Sequence, residues 1–301
     1  MIGDGMAPSS HRLGAVTQSD PIPVRHVSGA QVVRVRDGRA ATVEDRLVAE
    51  EPLEIRAAGP GQEPAAVAVT LRTPGGEAEL AVGFLRTEGL IDGPADIAGV
   101  SHGDPKRDAQ PDDTVVVRLA RPFDVSLVAE RHFVATASCG ICGKASIDEV
   151  AVRSDPIPAG PTIDPSVVVA LPDRLRAAQA VFDATGGLHA AALFTPDGGL
   201  LAMREDVGRH NALDKLIGAQ LLADALPLHD RIVLLSGRIG FELVQKAAVA
   251  GVPILCAVGA PSDLAVEAGE RLGVTLIGFL RGDSFNVYTH PERVAVGHDP
   301  A

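Results

Sequence analysis

Arg231-Ile232-Val233-Leu234-Leu235-Ser236-Gly237-Arg238 is the stretch on which the fold class turns. Its apolar run has no polar alternation, which predicts a short strand covered on both faces, and Ser236-Gly237 marks its end. Downstream, residues 241–250 read as a helix stopped at Gly251, residues 253–258 as a strand, residues 262–272 as a helix with Ser262 as N-cap, and residues 274–280 as a strand. Upstream, residues 209–223 read as a helix. Residues 189–195 and 200–205 form a hairpin around Pro196-Asp197-Gly198-Gly199, and residues 173–185 form a helix from Asp173, its N-cap, to Gly186-Gly187. Strands alternating with helices at this spacing predict an α/β unit: a largely parallel sheet, made mixed by the hairpin, with helices on both faces.

The first half has a different pattern. Residues 31–35 are rich in Val, Asp37-Gly38 is a turn signal, and residues 46–57 read as one extended run. Residues 65–71 are a strand closed by Thr73-Pro74-Gly75-Gly76. Residues 77–89 read as a helix with Leu80, Ala81, Phe84 and Leu85 on one face. Apolar residues thin out over 92–113, which reads as a polar loop, and strands return at 114–119 and 126–138. The expected organisation is a disordered lead-in over 1–24 and a smaller α+β domain over 25–135. A mobile loop or linker over 136–165, the α/β domain over 166–295 and a tail over 296–301 follow.

The bulk numbers exclude several function classes. The 301 residues are 46% hydrophobic and 22% charged, the ordinary globular range, with only 3% aromatic and no Trp. A formal net charge of −12 argues against a nucleic-acid groove, which needs clustered Lys and Arg, while leaving room for one local basic pocket. No apolar run approaches the roughly 20 residues of a membrane span, and residues 1–23 hold no apolar core of signal-peptide length. Three cysteines do not make a secreted disulfide framework, so the expected compartment is the cytoplasm.

Two of those cysteines stand in Cys139-Gly140-Ile141-Cys142-Gly143. A structural zinc site needs four ligands, and here only Cys256 remains, inside an apolar strand, with no His pair at knuckle spacing. A thioredoxin-like dithiol opens a long helix, whereas here Gly143 follows and the possible helix over 144–152 is short. The interleaved glycines suit a mobile loop. A nucleophilic sulfur that accepts a sulfane sulfur as a persulfide needs exposure and a nearby cation, a part Lys144 could play. A glycine-rich turn with passive thiols is the fourth reading, and spacing alone leaves it open.

The second half adds polar junctions at strand ends. Arg204-Glu205-Asp206-Val207-Gly208-Arg209-His210-Asn211-Ala212 runs from a strand into a helix, and Ser236-Gly237-Arg238 ends the next strand. Open α/β sheets bind ligands at the carboxyl ends of their strands, and helix N-termini with Arg suit phosphates. Arg209, His210, Ser236 and Arg238 are therefore candidate ligands of an anion, with a capping or packing role equally open for His210. Phe279, Leu280, Arg281, Gly282, Asp283 and Ser284 end the last strand, where an aromatic and an Arg could hold a purine; a solvated loop is the competing reading.

In this order the motifs resemble the formate dehydrogenase accessory sulfurtransferase family (FdhD). The resemblance covers most of the chain from about Glu51. It rests on Leu80-Ala81-Val82-Gly83-Phe84-Leu85, Ser138 to Gly143, Thr185-Gly186-Gly187-Leu188-His189-Ala190-Ala191, Glu205 to Lys215, Ser236-Gly237-Arg238 and Tyr288-Thr289-His290. It implies a sulfur carrier that takes sulfur from a cysteine desulfurase as a persulfide on Cys139, with Cys142 assisting. It also implies transfer to the molybdenum cofactor bearing two molybdopterin guanine dinucleotides, bound as substrate, and passage of that cofactor to formate dehydrogenase. The resemblance further implies that residues 279–284 contact the guanine dinucleotide, that the chain works as a homodimer, and that no metal is permanently bound. The α/β half resembles the cytidine deaminase fold. The deaminase His-x-Glu and Pro-Cys-x-x-Cys are replaced here by His210-Asn211-Ala212 and Ser236-Gly237-Arg238-Ile239, so zinc hydrolysis is not expected. The alternative is a nucleotide-binding chaperone or scaffold without covalent sulfur chemistry.

Overall fold

The computed structural model describes residues 27–124, 126, 155–158, 160–179, 182 and 185–295. The expected lead-in over 1–24, the strand expected beyond Ser126, the Cys139/Cys142 loop, the short helix after it and the tail lie outside the described residues. Among the described residues no helix is long and apolar enough to cross a membrane.

Strands β1 (Val27–Arg36) and β2 (Arg39–Val48) form a two-stranded antiparallel ribbon. Asp37 and Gly38 turn it with φ of 50° and 73°, as a two-residue hairpin that follows the strand twist requires. The extended run expected over 46–57 is broken after Val48, because β3 (Glu51–Ala58) leaves the ribbon to pair elsewhere. It sits inside a four-stranded sheet with β4 (Ala65–Arg72), β5 (Ile97–His102) and β6 (Thr114–Leu119), in the order β4-β3-β6-β5. The sequence reading of 92–113 as a loop missed β5. That strand is an edge, and of its residues only Ile97 and Val100 pack on the core, so the apolar alternation is too short to register. Helix α1 (Glu77–Thr87) lies between β4 and β5 in the chain and buries Leu80, Ala81, Val82 and Leu85 with Leu53, Ile55, Val115 and Val117.

Helix α2 (Pro165–Ala178) begins earlier than the sequence suggested. Its N-cap is Asp164, whose carboxylate accepts from the Ser166 amide at 2.8 Å, not Asp173. Pro165 occupies the first helical turn, where no amide is needed, while Pro172 is tolerated inside a helix anchored by Val168, Leu171 and Leu175. The other elements follow the expected order: β7 (His189–Phe194), β8 (Leu200–Asp206), α3 (Arg209–Leu222), β9 (Ile232–Leu235), α4 (Phe241–Val249), β10 (Ile254–Ala257), α5 (Asp263–Leu272) and β11 (Thr275–Arg281). One strand was unexpected. β12 (Ser284–Val287) folds back antiparallel on β11, so Gly282 and Asp283 are a hairpin turn instead of an open terminal loop.

These strands form one mixed sheet in the order β12-β11-β10-β9-β7-β8, with β9, β10 and β11 parallel and β7 antiparallel to β9. Alternate residues serve the two faces. Ala191, Leu193, Val233, Leu235, Leu255 and Leu276 pack under α3, α4 and α5. Ala190, Phe194, Leu234, Ile254, Cys256 and Ile277 pack under α2. Both faces are dry, which is why the strands read as unbroken apolar runs. Cys256 is fully buried and burial pushes its thiol up, so it stays a protonated core residue.

Candidate functional site

The parallel strands end together, and backbone bonds tie their ends. The Gly259 amide donates to the Gly237 carbonyl at 3.0 Å, and the Phe279 amide donates to the Gly259 carbonyl at 3.0 Å. Gly259 has no room for a side chain: a Cβ there would stand 2.8 Å from the Gly237 oxygen and 2.9 Å from Cγ of Arg238. This close ladder brings Ser236 and Arg238 to the same edge as Phe279. Ser236 is fixed by exchange with β7. Its amide donates to the Ala190 carbonyl at 3.0 Å, and its hydroxyl oxygen accepts from the Ala190 amide at 2.9 Å.

Phe279 is the most unusual residue here. Its φ is +52°, a left-handed conformation that a bulky aromatic rarely adopts, and its side chain is 45% exposed. The β11–β12 pairing shifts register between Gly278 and Arg281, and this bulge turns Phe279 outward. Leu280, in contrast, is buried in the core on the α2 side and offers a ligand only its backbone. Arg281, Gly282, Asp283 and Ser284 are exposed around the hairpin turn, with the Ser284 hydroxyl donating to the Arg281 carbonyl at 3.3 Å.

Arg209 opens α3 and borders the same edge. A Cβ on Gly237 would stand 3.9 Å from Cδ of Arg209 and 3.2 Å from Nδ1 of His189. His189 was not singled out as a site residue by sequence, because a histidine at the start of an apolar strand gives no local signal. Burial and then Arg209 lower its pKa, against the pull of Asp206, so its ring is neutral near pH 7. His210 faces another way. Its Nε2 stands 3.2 Å from the Glu242 carboxylate on α4. Burial, with Lys246, Arg209 and His189, pushes its pKa down to about 3, so the neutral ring donates to Glu242.

The other polar residues of the Glu205–Lys215 stretch do structural work. Asp206 is fully buried and accepts from the amides of Gly208 at 2.8 Å and Thr73 at 3.2 Å and from Asn211 Nδ2 at 3.1 Å. Lys215 Nζ stands 2.7 Å from Asp206 and donates to the Thr73 carbonyl at 2.8 Å. Asn211 also donates to the Leu71 carbonyl at 2.8 Å. These bonds clamp α3 to the loop between β4 and α1. A second buried cluster lies along α3, where Lys246 Nζ meets both Asp214 oxygens at 2.8 and 3.0 Å and Thr87 Oγ1 at 2.9 Å. Burial opposes the Lys246 charge, but Asp214, Glu88 and Glu242 together raise its pKa.

Cys139 and Cys142 lie outside the described residues, so their distance from this edge is not part of the geometry. The edge itself combines a strained exposed aromatic, Arg209, Arg238 and a neutral histidine. Such a set suits a planar ring attached to phosphates.

Comparison with known proteins agrees with the resemblance read from the motifs. A curated protein of Streptomyces coelicolor, "Sulfur carrier protein FdhD", is 50% identical over 274 residues, spanning 88% of this chain and 95% of its own length. A protein of the same name from Sulfurisphaera tokodaii is 43% identical over 89% of this chain and 99% of its own. A solved structure from Desulfotalea psychrophila, described as a formate dehydrogenase accessory protein, matches with a TM-score of 0.66 at 23% identity over 89% of this chain and 99% of its own, which shows the shared fold. The family model described as "FdhD/NarQ family" matches residues 48–295, from the end of the ribbon to the last described residue, and the chain belongs to that family.

Proposed function

We propose that this chain is a sulfur carrier that serves formate dehydrogenase. In this reading the Cys139 thiolate attacks the sulfane sulfur of a desulfurase persulfide. The donor S–S bond breaks, the donor cysteine leaves as thiolate, and Cys139 holds the persulfide with no net redox change. Cys142 assists the later release. The acceptor is the molybdenum cofactor carrying two molybdopterin guanine dinucleotides, bound as substrate at the carboxyl ends of β9, β10 and β11. Phe279 stacks on a guanine, the backbone of Leu280 with Arg281, Gly282, Asp283 and Ser284 frames it, and Arg209, Ser236 and Arg238 meet phosphates. His210 acts from behind, bracing α3 against α4. The chain works as a cytoplasmic homodimer, with the desulfurase as donor and formate dehydrogenase as recipient.

Membership of the family and the shared name of its curated relatives support the sulfur role. The observation that carries the cofactor role is Phe279, exposed and left-handed beside Arg238 and Ser236. Strain of that kind persists where function uses it. The test is mass spectrometry after incubation with a cysteine desulfurase and cysteine. One added sulfur on Cys139, absent in Cys139→Ala, is the expected result. A chain that binds guanosine diphosphate yet never gains sulfur would replace this reading with a nucleotide-binding scaffold.

A further inference from the structure

The four-stranded sheet carries α1 on one face. Ile55, Val115 and Val117 pack toward that helix, so Arg56, Val116 and Arg118, which alternate with them, point to the opposite face. A cavity of about 450 Å3 opens there, walled by the segments that follow β3 and β5. That volume lies within the range of small-molecule sites, roughly 300–1,000 Å3. It shares no lining residue with the edge at Ser236 and Phe279.

Both walls are fixed by hydrogen bonds. Gln62 secures one: its side-chain oxygen accepts from the amides of Gly59 at 2.8 Å and Phe123 at 2.7 Å, and its Nε2 donates to the Phe123 carbonyl at 2.9 Å. Asp108 secures the other, accepting from the Asp104 amide and from Arg56 Nη1, each at 2.7 Å. Gly103 keeps this wall tight, because a Cβ there would stand 2.8 Å from Asp108 Oδ2 and 3.1 Å from Cα of Pro111. Across the mouth, Arg107 meets Glu63 at 2.9 Å. Both are largely exposed, and a surface pair of this kind contributes only about 0–1 kcal/mol, so it yields to an entering ligand.

The groups left unspent select the ligand. Among the described residues, Ser101, His102 and Arg118 line the cavity without a side-chain hydrogen bond or ion pair. Arg118 offers a planar fork of donors that fits a carboxylate with two bonds at once, and the Ser101 hydroxyl and the His102 ring add polar groups beside it. The charged lining is balanced, with Arg56, Arg107 and Arg118 against Glu63, Asp104 and Asp108. A polyanion would meet the carboxylates unfavourably, and a bare cation the guanidinium groups. A zwitterion brings no net charge and uses both signs.

We propose that this cavity binds a free α-amino acid, its carboxylate on Arg118 with Ser101 and His102 alongside, and its ammonium group toward Glu63 and Asp104. The site is separate from the sulfur-carrier reading. It gives the chain a small-molecule site of its own on the sheet face that α1 leaves open.

Isothermal titration of the full chain with each of the standard L-amino acids, and with acetate and methylammonium, tests this. At least one amino acid binds with one-to-one stoichiometry, and acetate and methylammonium each bind about tenfold more weakly or worse, having lost one charged partner. Arg118→Gln weakens the amino-acid binding about tenfold or more. Arg118 and His102 are both exposed, so Arg118→Gln and His102→Ala keep the fold, and an unchanged denaturation midpoint verifies it. If no amino acid binds, if acetate binds as tightly as the best amino acid, or if Arg118→Gln leaves the dissociation constant unchanged, the proposal is overturned. Arg118→Gln still gains sulfur on Cys139 from a desulfurase. A chain that binds the amino acid but never acquires sulfur therefore fails the carrier reading alone, and one that acquires sulfur but binds no amino acid fails only this inference.

Discussion

Gly83 of α1 and Gly218 of α3 face each other where the two helices cross, each turning its missing side chain toward the other's backbone. A Cβ on Gly83 would collide with the Asp214 carbonyl, and one on Gly218 with the Glu79 carbonyl. Neither collision can be relieved by a rotamer change, because both obstacles are main chain. The helix that covers the four-stranded sheet thus packs directly on the helix that opens the candidate site.

Gly83→Ala tests that contact. Overpacking usually costs about 1–3 kcal/mol, and a backbone obstacle places this variant at or above the top of that range. Chemical denaturation should show the loss as a lowered midpoint. An unchanged midpoint would mean that the helices separate freely.

Lys246→Met should be more damaging than its volume suggests. It leaves Asp214 buried and unpaired, and breaking a buried pair costs about 3–5 kcal/mol. Asp214→Leu added to it should recover part of the loss. A double-mutant cycle with no coupling between the two would sink the account.

The pH dependence follows from His210, whose ordinary value of 6.5 falls to about 3 in the folded chain. Between those values the unfolded chain binds a proton that the folded chain refuses. This stability is therefore fully present above pH 6.5 and is lost as pH falls toward 3. From pH 7 to pH 5 the loss is about 2 kcal/mol. His210→Gln should flatten most of the slope in urea titrations at the two pH values. A residual slope in the same direction is expected from His189, which is also lowered.

Phe279→Gly separates stability from binding. Relief of the left-handed φ should leave the melting temperature unchanged or higher, by up to about 1–2 kcal/mol of strain. Guanosine diphosphate affinity should fall tenfold or more with the aromatic gone. A variant that melts lower and binds as before would show that Phe279 is a packing residue.

Much of the α/β half was legible in its residues, and the reason is burial. Residues 232–235 and 254–257 are covered on both sides, so their apolar runs stand out, and Ser262 and Gly251 mark helix ends by local chemistry alone. The misplaced start of α2 came from taking Asp173 as a cap, when Asp164 with Pro165 carried the same signal nine residues earlier. β5 and β12 escaped notice because edge strands owe their state to a partner far away in the chain or across a turn.

The site divides in the same way. Composition, motif order and the turn and cap residues were enough to determine the fold class, the family resemblance and the polar strand ends at Ser236, Arg209 and Phe279. The roles within those motifs were decided by the tertiary structure alone. Asp206, Asn211 and Lys215 stand in the same polar stretch as Arg209, yet they spend their polar atoms on Thr73 and Leu71, more than a hundred residues earlier. His210 and Arg209 are neighbours in sequence, but one is turned to Glu242 and the other borders Gly237. His189 joins the edge only because β7 runs antiparallel to β9 and starts where β9 ends. A hydrogen bond has a partner as well as a donor, and that partner is set by the packing of distant elements, which no local spacing encodes.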